Sequence, residues 1–198
     1  IRRLFRDGLG RRAHRLCLPP GSIRLSYTAR RKAADCFSVG HSRGSVLRAI
    51  VLETSCNQSE VALADEGGFV VSRLVSAARK HARDLAPALE EMARSAGWPI
   101  RTVDLIAVDL GPGSYTGLRV GVMTAKTIAF ATSAKVVGVD AMSVLAYGAP
   151  PDVSRISAIV DAQQGRVYSA QIVRSPTDGL VFEKGISIEP AEEWAAAI

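Results

Sequence analysis

The sequence predicts an α/β fold, a mixed sheet with helices followed by a shortened second lobe, and three observations predict it. Apolar runs at 49–55 and 104–110 have the composition of buried strands. Segments with helical spacing at 84–96 and 116–132 alternate with strands at 103–110 and 135–139, which demands parallel crossovers. A Gly-rich turn, Gly111-Pro-Gly-Ser-Tyr-Thr-Gly-Leu-Arg-Val-Gly121, joins the strand at 104–110 to the second helix.

The first 47 residues carry no sustained period. Residues 1–48 hold 12 Lys/Arg against 2 Asp/Glu, a net +10, while the remainder is at −4, so the +6 of the whole chain belongs to this leader. Three readings stand side by side: an Arg-rich transit peptide, a disordered nucleic-acid arm, or upstream sequence translated in frame, with the last favoured because the chain begins with Ile. Each predicts disorder. No function is assigned to it.

From Arg48 the predicted order is strand (49–55), strand (58–64), strand (68–75), helix (84–96), strand (103–110), helix (116–132) and strand (135–139). The first three strands suit an antiparallel meander. In the first helix Asp84 is placed as the cap, Pro87 in the first turn and Gly97 as a left-handed end. A breaker-rich linker, 148–153, divides this first lobe (48–147) from a partial second one (154–198), with strands at 156–162, 166–173 and 180–188 and a helical stub at 190–198.

The second helix carries Gly117, Gly121, Ala125 and Ala129 at every fourth position. Two interior glycines cost about 1 kcal/mol each relative to Ala, so close packing must compensate. Packing of this stripe on its own sheet is the first expectation. Leu118, Val122, Met123 and Phe130 make the other side apolar as well, and a helix apolar on two sides needs two partners. That points to a protein interface.

Composition excludes several classes. A hydrophobic fraction of 47% with 22% charged residues suits a soluble domain. The longest apolar runs fall far short of a membrane span. Cys17, Cys36 and Cys56 have no paired or metal-type spacing and read as reduced thiols in a cytoplasmic setting. Candidate catalytic groups are few: His81 in the folded part, Ser114 without a nucleophile-elbow pattern, and the strand-end acids Glu53, Asp109, Asp140 and Asp161. The Gly-rich turn lacks both the Walker and the dinucleotide spacing. It leaves Gly111, Gly113, Ser114, Thr116 and Gly117 as a candidate nucleotide loop.

The undecapeptide, continued by Val122-Met-Thr-Ala-Lys-Thr-Ile-Ala129, resembles the signature of the TsaB (YeaZ) family. Three further blocks agree in order: Ala49-Ile-Val-Leu-Glu-Thr-Ser55, His81 with the helix behind it, and Ile159-Val-Asp-Ala-Gln-Gln-Gly-Arg-Val-Tyr168. The resemblance covers about 48–175 and implies an actin/hexokinase-like ATPase superfamily lobe. It implies a non-catalytic subunit that binds and activates a TsaD-type transferase in N6-threonylcarbamoyladenosine modification of tRNA. A TsaE-type ATPase completes the set, and tRNA is reached through the complex. By the same resemblance the two long helices form the interface, through Leu85, Leu89, Met92, Leu118, Val122, Met123, Lys126 and Phe130. No cofactor is assigned to this subunit, ATP and Mg²⁺ being left to the complex. TsaD carries a His-x-x-x-His metal pair after the strand matching 135–139; Asp140-Ala-Met-Ser-Val144 holds no histidine. The chain reads His81-Ala-Arg where the family has His-Ser-Glu. An independent ATP-dependent transferase or glycoprotease-like enzyme, and a homodimeric scaffold, are the competing readings.

Overall fold

The computed structural model describes residues 47–56, 59–65, 68–75, 81–177 and 179–197, so the basic leader lies outside the described residues. Five strands form the first sheet: β1 (Arg48–Glu53), β2 (Ser59–Asp65), β3 (Gly68–Val75), β4 (Leu105–Asp109) and β5 (Lys135–Val139), in the order β3-β2-β1-β4-β5. β1, β2 and β3 pair antiparallel, as the predicted meander requires, while β1–β4 and β4–β5 pair parallel. Leu52 faces Val61 on one side and Val108 on the other, which aligns one apolar row across three strands.

Alternation puts Ile50, Leu52, Ile106 and Val108 on the face that meets α1 (His81–Ser95) and α2 (Tyr115–Thr132). Leu85, Leu89, Met92 and Ala93 of α1 complete this core, together with Ala125 of α2. Burying each large side chain of this kind contributes roughly 1.5–3 kcal/mol. α1 ends as its sequence predicts. Gly97 is left-handed at φ 69°, its N–H donates to Arg94 O at 3.1 Å, and Trp98 N–H donates to Ala93 O at 2.7 Å.

The start of α1 differs from expectation. It begins at His81, so Asp84 lies inside the helix instead of capping it, and Pro87 occupies the seventh position. A proline there removes one backbone bond, at a cost of roughly 3 kcal/mol. The apolar side that α1 buries against β2 and β3 offsets that loss, and Pro87 itself faces solvent.

The boundary between lobes also moves. A seven-residue helix, α3 (Ala141–Tyr147), follows β5; Asp140 caps it, accepting from Ser143 N at 2.7 Å. Met142 and Ala146 pack with Ala158, Ala170 and Ile172, so α3 belongs to the second lobe and the crossing falls at Asp140. The breaker-rich 148–153 is not a free linker. Arg174 holds it, donating to Val153 O at 3.3 Å, Ala149 O at 3.3 Å and Ala146 O at 3.2 Å.

The second sheet is a hairpin of β6 (Arg155–Gln163) and β7 (Arg166–Ser175). The strand expected at 180–188 is two pieces on the far edge of β7. β8 (Gly179–Phe182) pairs with residues 172–175, and β9 (Ser187–Pro190) with residues 166–169. The chain leaves the ladder between them around Gly185, and α4 (Ala191–Ala196) follows.

Candidate functional site

The Gly-rich junction is built around the end of β1. Past Glu53 the chain runs through Thr54 and Ser55, both buried, under the start of α2. Ser114 N–H donates to Ser55 O at 2.7 Å, and Thr54 Oγ1 donates to Gly117 O at 2.8 Å. A Cβ on Gly113 would lie 2.6 Å from Ser55 Cβ, and one on Gly121 would lie 2.3 Å from Thr54 Oγ1. These glycines therefore make room for Thr54 and Ser55 at the end of β1.

The same geometry engages amides of the candidate nucleotide loop. Gly111 N–H is taken by Asp109 Oδ1 at 2.9 Å, Ser114 N–H by Ser55, and Gly117 N–H by the Ser114 hydroxyl that caps α2, at 3.3 Å. Gly111 is left-handed at φ 87°, where glycine is favoured. Thr116 is exposed on the first turn of α2. Three of the loop's amides, those of Gly111, Ser114 and Gly117, are therefore engaged within the chain.

The strand-end acids have structural employment. Glu53 Oε1 accepts from Ser55 N at 2.7 Å and from Ser55 Oγ at 2.8 Å, which fixes the turn after β1. Burial lifts the Glu53 carboxyl to about 8, and the neighbouring Asp109 and Cys56 add to the rise. Asp109 is raised too: burial drives it up, partly offset by Ser55, the Gly111 amide and Glu53, with Asp140 adding a further push. Asp109 Oδ2 is buried without a hydrogen-bond partner among the described residues, an arrangement that costs least when the pair keeps a proton. Asp140 spends both oxygens on Ser143, and Asp161 Oδ1 accepts from Gln163 N at 2.7 Å in the β6–β7 turn. His81 opens α1.

The surface that remains is the outward side of α2. Its inner stripe, Gly117, Gly121 and Ala125, is buried against the sheet, as the first expectation had it. On the opposite side Tyr115 is 74% exposed, Met123 60% and Phe130 94%. Arg119 and Lys126 lie exposed between them. At 100° per residue these five positions fall within one narrow stripe. The Arg119 guanidinium sits 5.6 Å from the Tyr115 ring centroid, within cation–π range.

Of the eight predicted interface residues, the structure brings three to this stripe: Met123, Lys126 and Phe130. Leu118 and Val122 are half-buried at its border. Leu85, Leu89 and Met92 are a correction, because they are 1%, 2% and 4% exposed and form the core beneath α1. The outward side of α1 is instead polar, with Glu90 paired to Arg94 at 3.0 Å and Glu91 paired to Arg73. Tyr115 and Arg119 escaped the sequence reading. Their four-residue spacing ahead of Met123 was the available signal.

Comparison with known proteins agrees with this architecture. A family model described as "TsaD: tRNA N6-adenosine threonylcarbamoyltransferase" matches residues 50–184. The tRNA threonylcarbamoyladenosine biosynthesis protein TsaB of Escherichia coli K12 is 28% identical over 130 residues, covering 65% of this chain and 56% of that protein. Its namesake in Haemophilus influenzae is 31% identical over 131 residues, covering 65% and 55%. The chain thus spans little more than half the length of these two relatives. The solved structure of YeaZ from Pseudomonas aeruginosa superposes with a TM-score of 0.63 at 28% identity, covering 73% of this chain and 68% of that one. No helix among the described residues is long and apolar enough to cross a membrane. An actin/hexokinase-like lobe with the TsaB signature, matched over 50–184, places this chain in the TsaD family of proteins, on its TsaB (YeaZ) side.

Proposed function

We propose that this chain is an accessory subunit of tRNA N6-threonylcarbamoyladenosine biosynthesis, and that it binds and activates a TsaD-type transferase through the outward side of α2. The carrying observation is the stripe itself. Phe130 is almost fully exposed on a helix whose other side is already packed, so a second partner is the physical use of that apolar side. The names of the TsaB relatives supply the reaction. Two of the three acids around the Gly-rich junction support an accessory role, since Glu53 and Asp140 are committed to the turn and to the α3 cap. A TsaE-type ATPase and tRNA enter at the level of the assembled complex, in the cytoplasm.

Co-purification with the TsaD-type protein of the same organism, read by light scattering, tests this. A one-to-one complex that is lost in Phe130→Asp, with an unchanged melting temperature, is the expected outcome. An intact complex in that variant would refute α2 as the docking surface. Hydrolysis of ATP by the isolated chain would move the weight to an independent enzyme.

A further inference from the structure

The Gly-rich turn is pinned at both ends by carboxyl groups. Where the turn begins, Asp109 Oδ1 at the end of β4 accepts from Gly111 N at 2.9 Å. At the other end the hold is relayed. Glu53 Oε1 accepts from Ser55 N and Ser55 Oγ, and Ser55 O accepts from the N–H of Ser114, the residue that caps α2. Thr54, between Glu53 and Ser55, donates to Gly117 O at 2.8 Å. Glu53 and Asp109 together therefore set where α2 starts.

The same two acids are neighbours. β1 and β4 run parallel with Leu52 beside Val108, so Glu53 and Asp109 follow as the next pair and leave the sheet on one face. The groups around them are acids and a thiol. Glu60 of β2 stands opposite Glu53, Cys56 acts on Glu53 from the turn, and Asp140 acts on Asp109 from the start of α3. Among the described residues no Lys or Arg pairs with either acid. The α2 residues nearest them, Ser114 to Gly117, carry no charge.

Two carboxylates side by side without a cation repel each other, and Asp109 Oδ2 would then be a buried acceptor with nothing to accept. One proton removes both penalties. A neutral Glu53 donates its O–H to Asp109, while its Oε1 goes on accepting from Ser55. Burial, followed by Asp109 and Cys56, lifts Glu53 to about 8, which agrees with a proton held at neutral pH.

We propose that Glu53 and Asp109 share a single proton, and that this proton latches the start of α2 to β1, so that its loss in mild alkali opens the Gly-rich turn while the sheet stays folded. The latched state holds the proton and the open state releases it to solvent. The latch is therefore complete at low pH and weakens as pH rises, by at most about tenfold in the opening constant per pH unit for one linked proton. It is internal to the chain and independent of what docks on α2.

The test uses the full chain. Carbon-13 NMR of the side-chain carboxyls is expected to show one of the pair still protonated at neutral pH, with both carbons reporting the same alkaline step. Hydrogen exchange of the Ser114 and Leu118 amides, taken as a ratio to that of Val108 in the sheet, is expected to rise about tenfold or more from neutral pH to about pH 9. In Glu53→Gln, whose amide can still donate to Asp109 and accept from Ser55, the ratio is expected to stay flat. Two carboxyls that both titrate below about pH 5 would overturn the shared proton. An equal rise in Glu53→Gln, or Val108 losing protection together with Ser114, would overturn the latch. The carboxyl titration is read on the wild type, so it decides even where the variant fails to fold.

Discussion

Gly117 lies so close to Thr54 that a Cβ on the glycine would stand 1.9 Å from the Thr54 carbonyl oxygen. Both partners are backbone, one at the start of α2 and one at the end of β1, so neither can turn aside. Gly117→Ala must push the helix off the sheet. Overpacking typically costs about 1–3 kcal/mol, and this contact belongs at or above the upper end. The expected fall in Tm is roughly 6–12 °C for a protein of this size. Gly185→Ala is the control: a Cβ there meets nothing within 4 Å, and its melt is expected to match wild type. Equal melts for the two variants would refute the close approach.

Leu89 and Phe130 carry similar apolar side chains and do opposite things. Leu89 is sealed between α1 and the sheet, whereas Phe130 stands in solvent. Leu89→Ala should cost about 2–5 kcal/mol through lost transfer energy and the cavity left behind. Phe130→Ala should stay within about 0.5 kcal/mol. Urea denaturation of the isolated chain measures both. A large loss at Phe130 would mean that its ring packs within the monomer.

These two residues also show how much was legible in advance. Strands β3 and β5 stand at the ranges expected, and Gly97 is left-handed as expected of a glycine closing a helix. The small-residue stripe of α2 was read as packing on its own sheet, and Thr54 proved to be the contact. The interface role of Leu85, Leu89 and Met92 was implied by the family resemblance alone, and the single apolar face of α1 is taken up by the core. Pro87 is expected in the first turn, yet α1 starts three residues before Asp84 and sets it at the seventh position. α3 is only seven residues long, too short for a period to show, although Asp140 with Ser143 offered a cap signal.

Arg174 ties the segment between the lobes to the second one. Its guanidinium reaches three carbonyl oxygens at the end of α3 and along 148–153. Arg174→Ala leaves those oxygens to water and frees the segment. Hydrogen bonds from a charged donor are worth about 1.5–3 kcal/mol, reduced where water can replace them. Limited proteolysis should cut within 148–153 faster in this variant, with a modest loss of Tm. An unchanged cleavage rate would show that Pro150 and Pro151 hold the segment unaided.

Glu53 makes stability depend on pH in a direction opposite to that of an ordinary salt-bridged acid. Its carboxyl titrates near 4.5 when free and near 8 in the fold, where burial and Asp109 oppose its charge. The folded state therefore binds more protons than the unfolded state between those values. The stability of the protonated pair is fully present below pH 4.5 and is lost as pH rises through about 8. The ceiling on that loss is about 5 kcal/mol, and Asp109, raised in the same direction, adds to the slope. Glu53→Gln keeps an acceptor for Ser55 and removes the titration. The urea midpoint of the wild type should fall between pH 5 and pH 8.5 by more than that of the variant. Parallel declines would locate the pH dependence elsewhere and show that the carboxyl ionises freely at the end of β1.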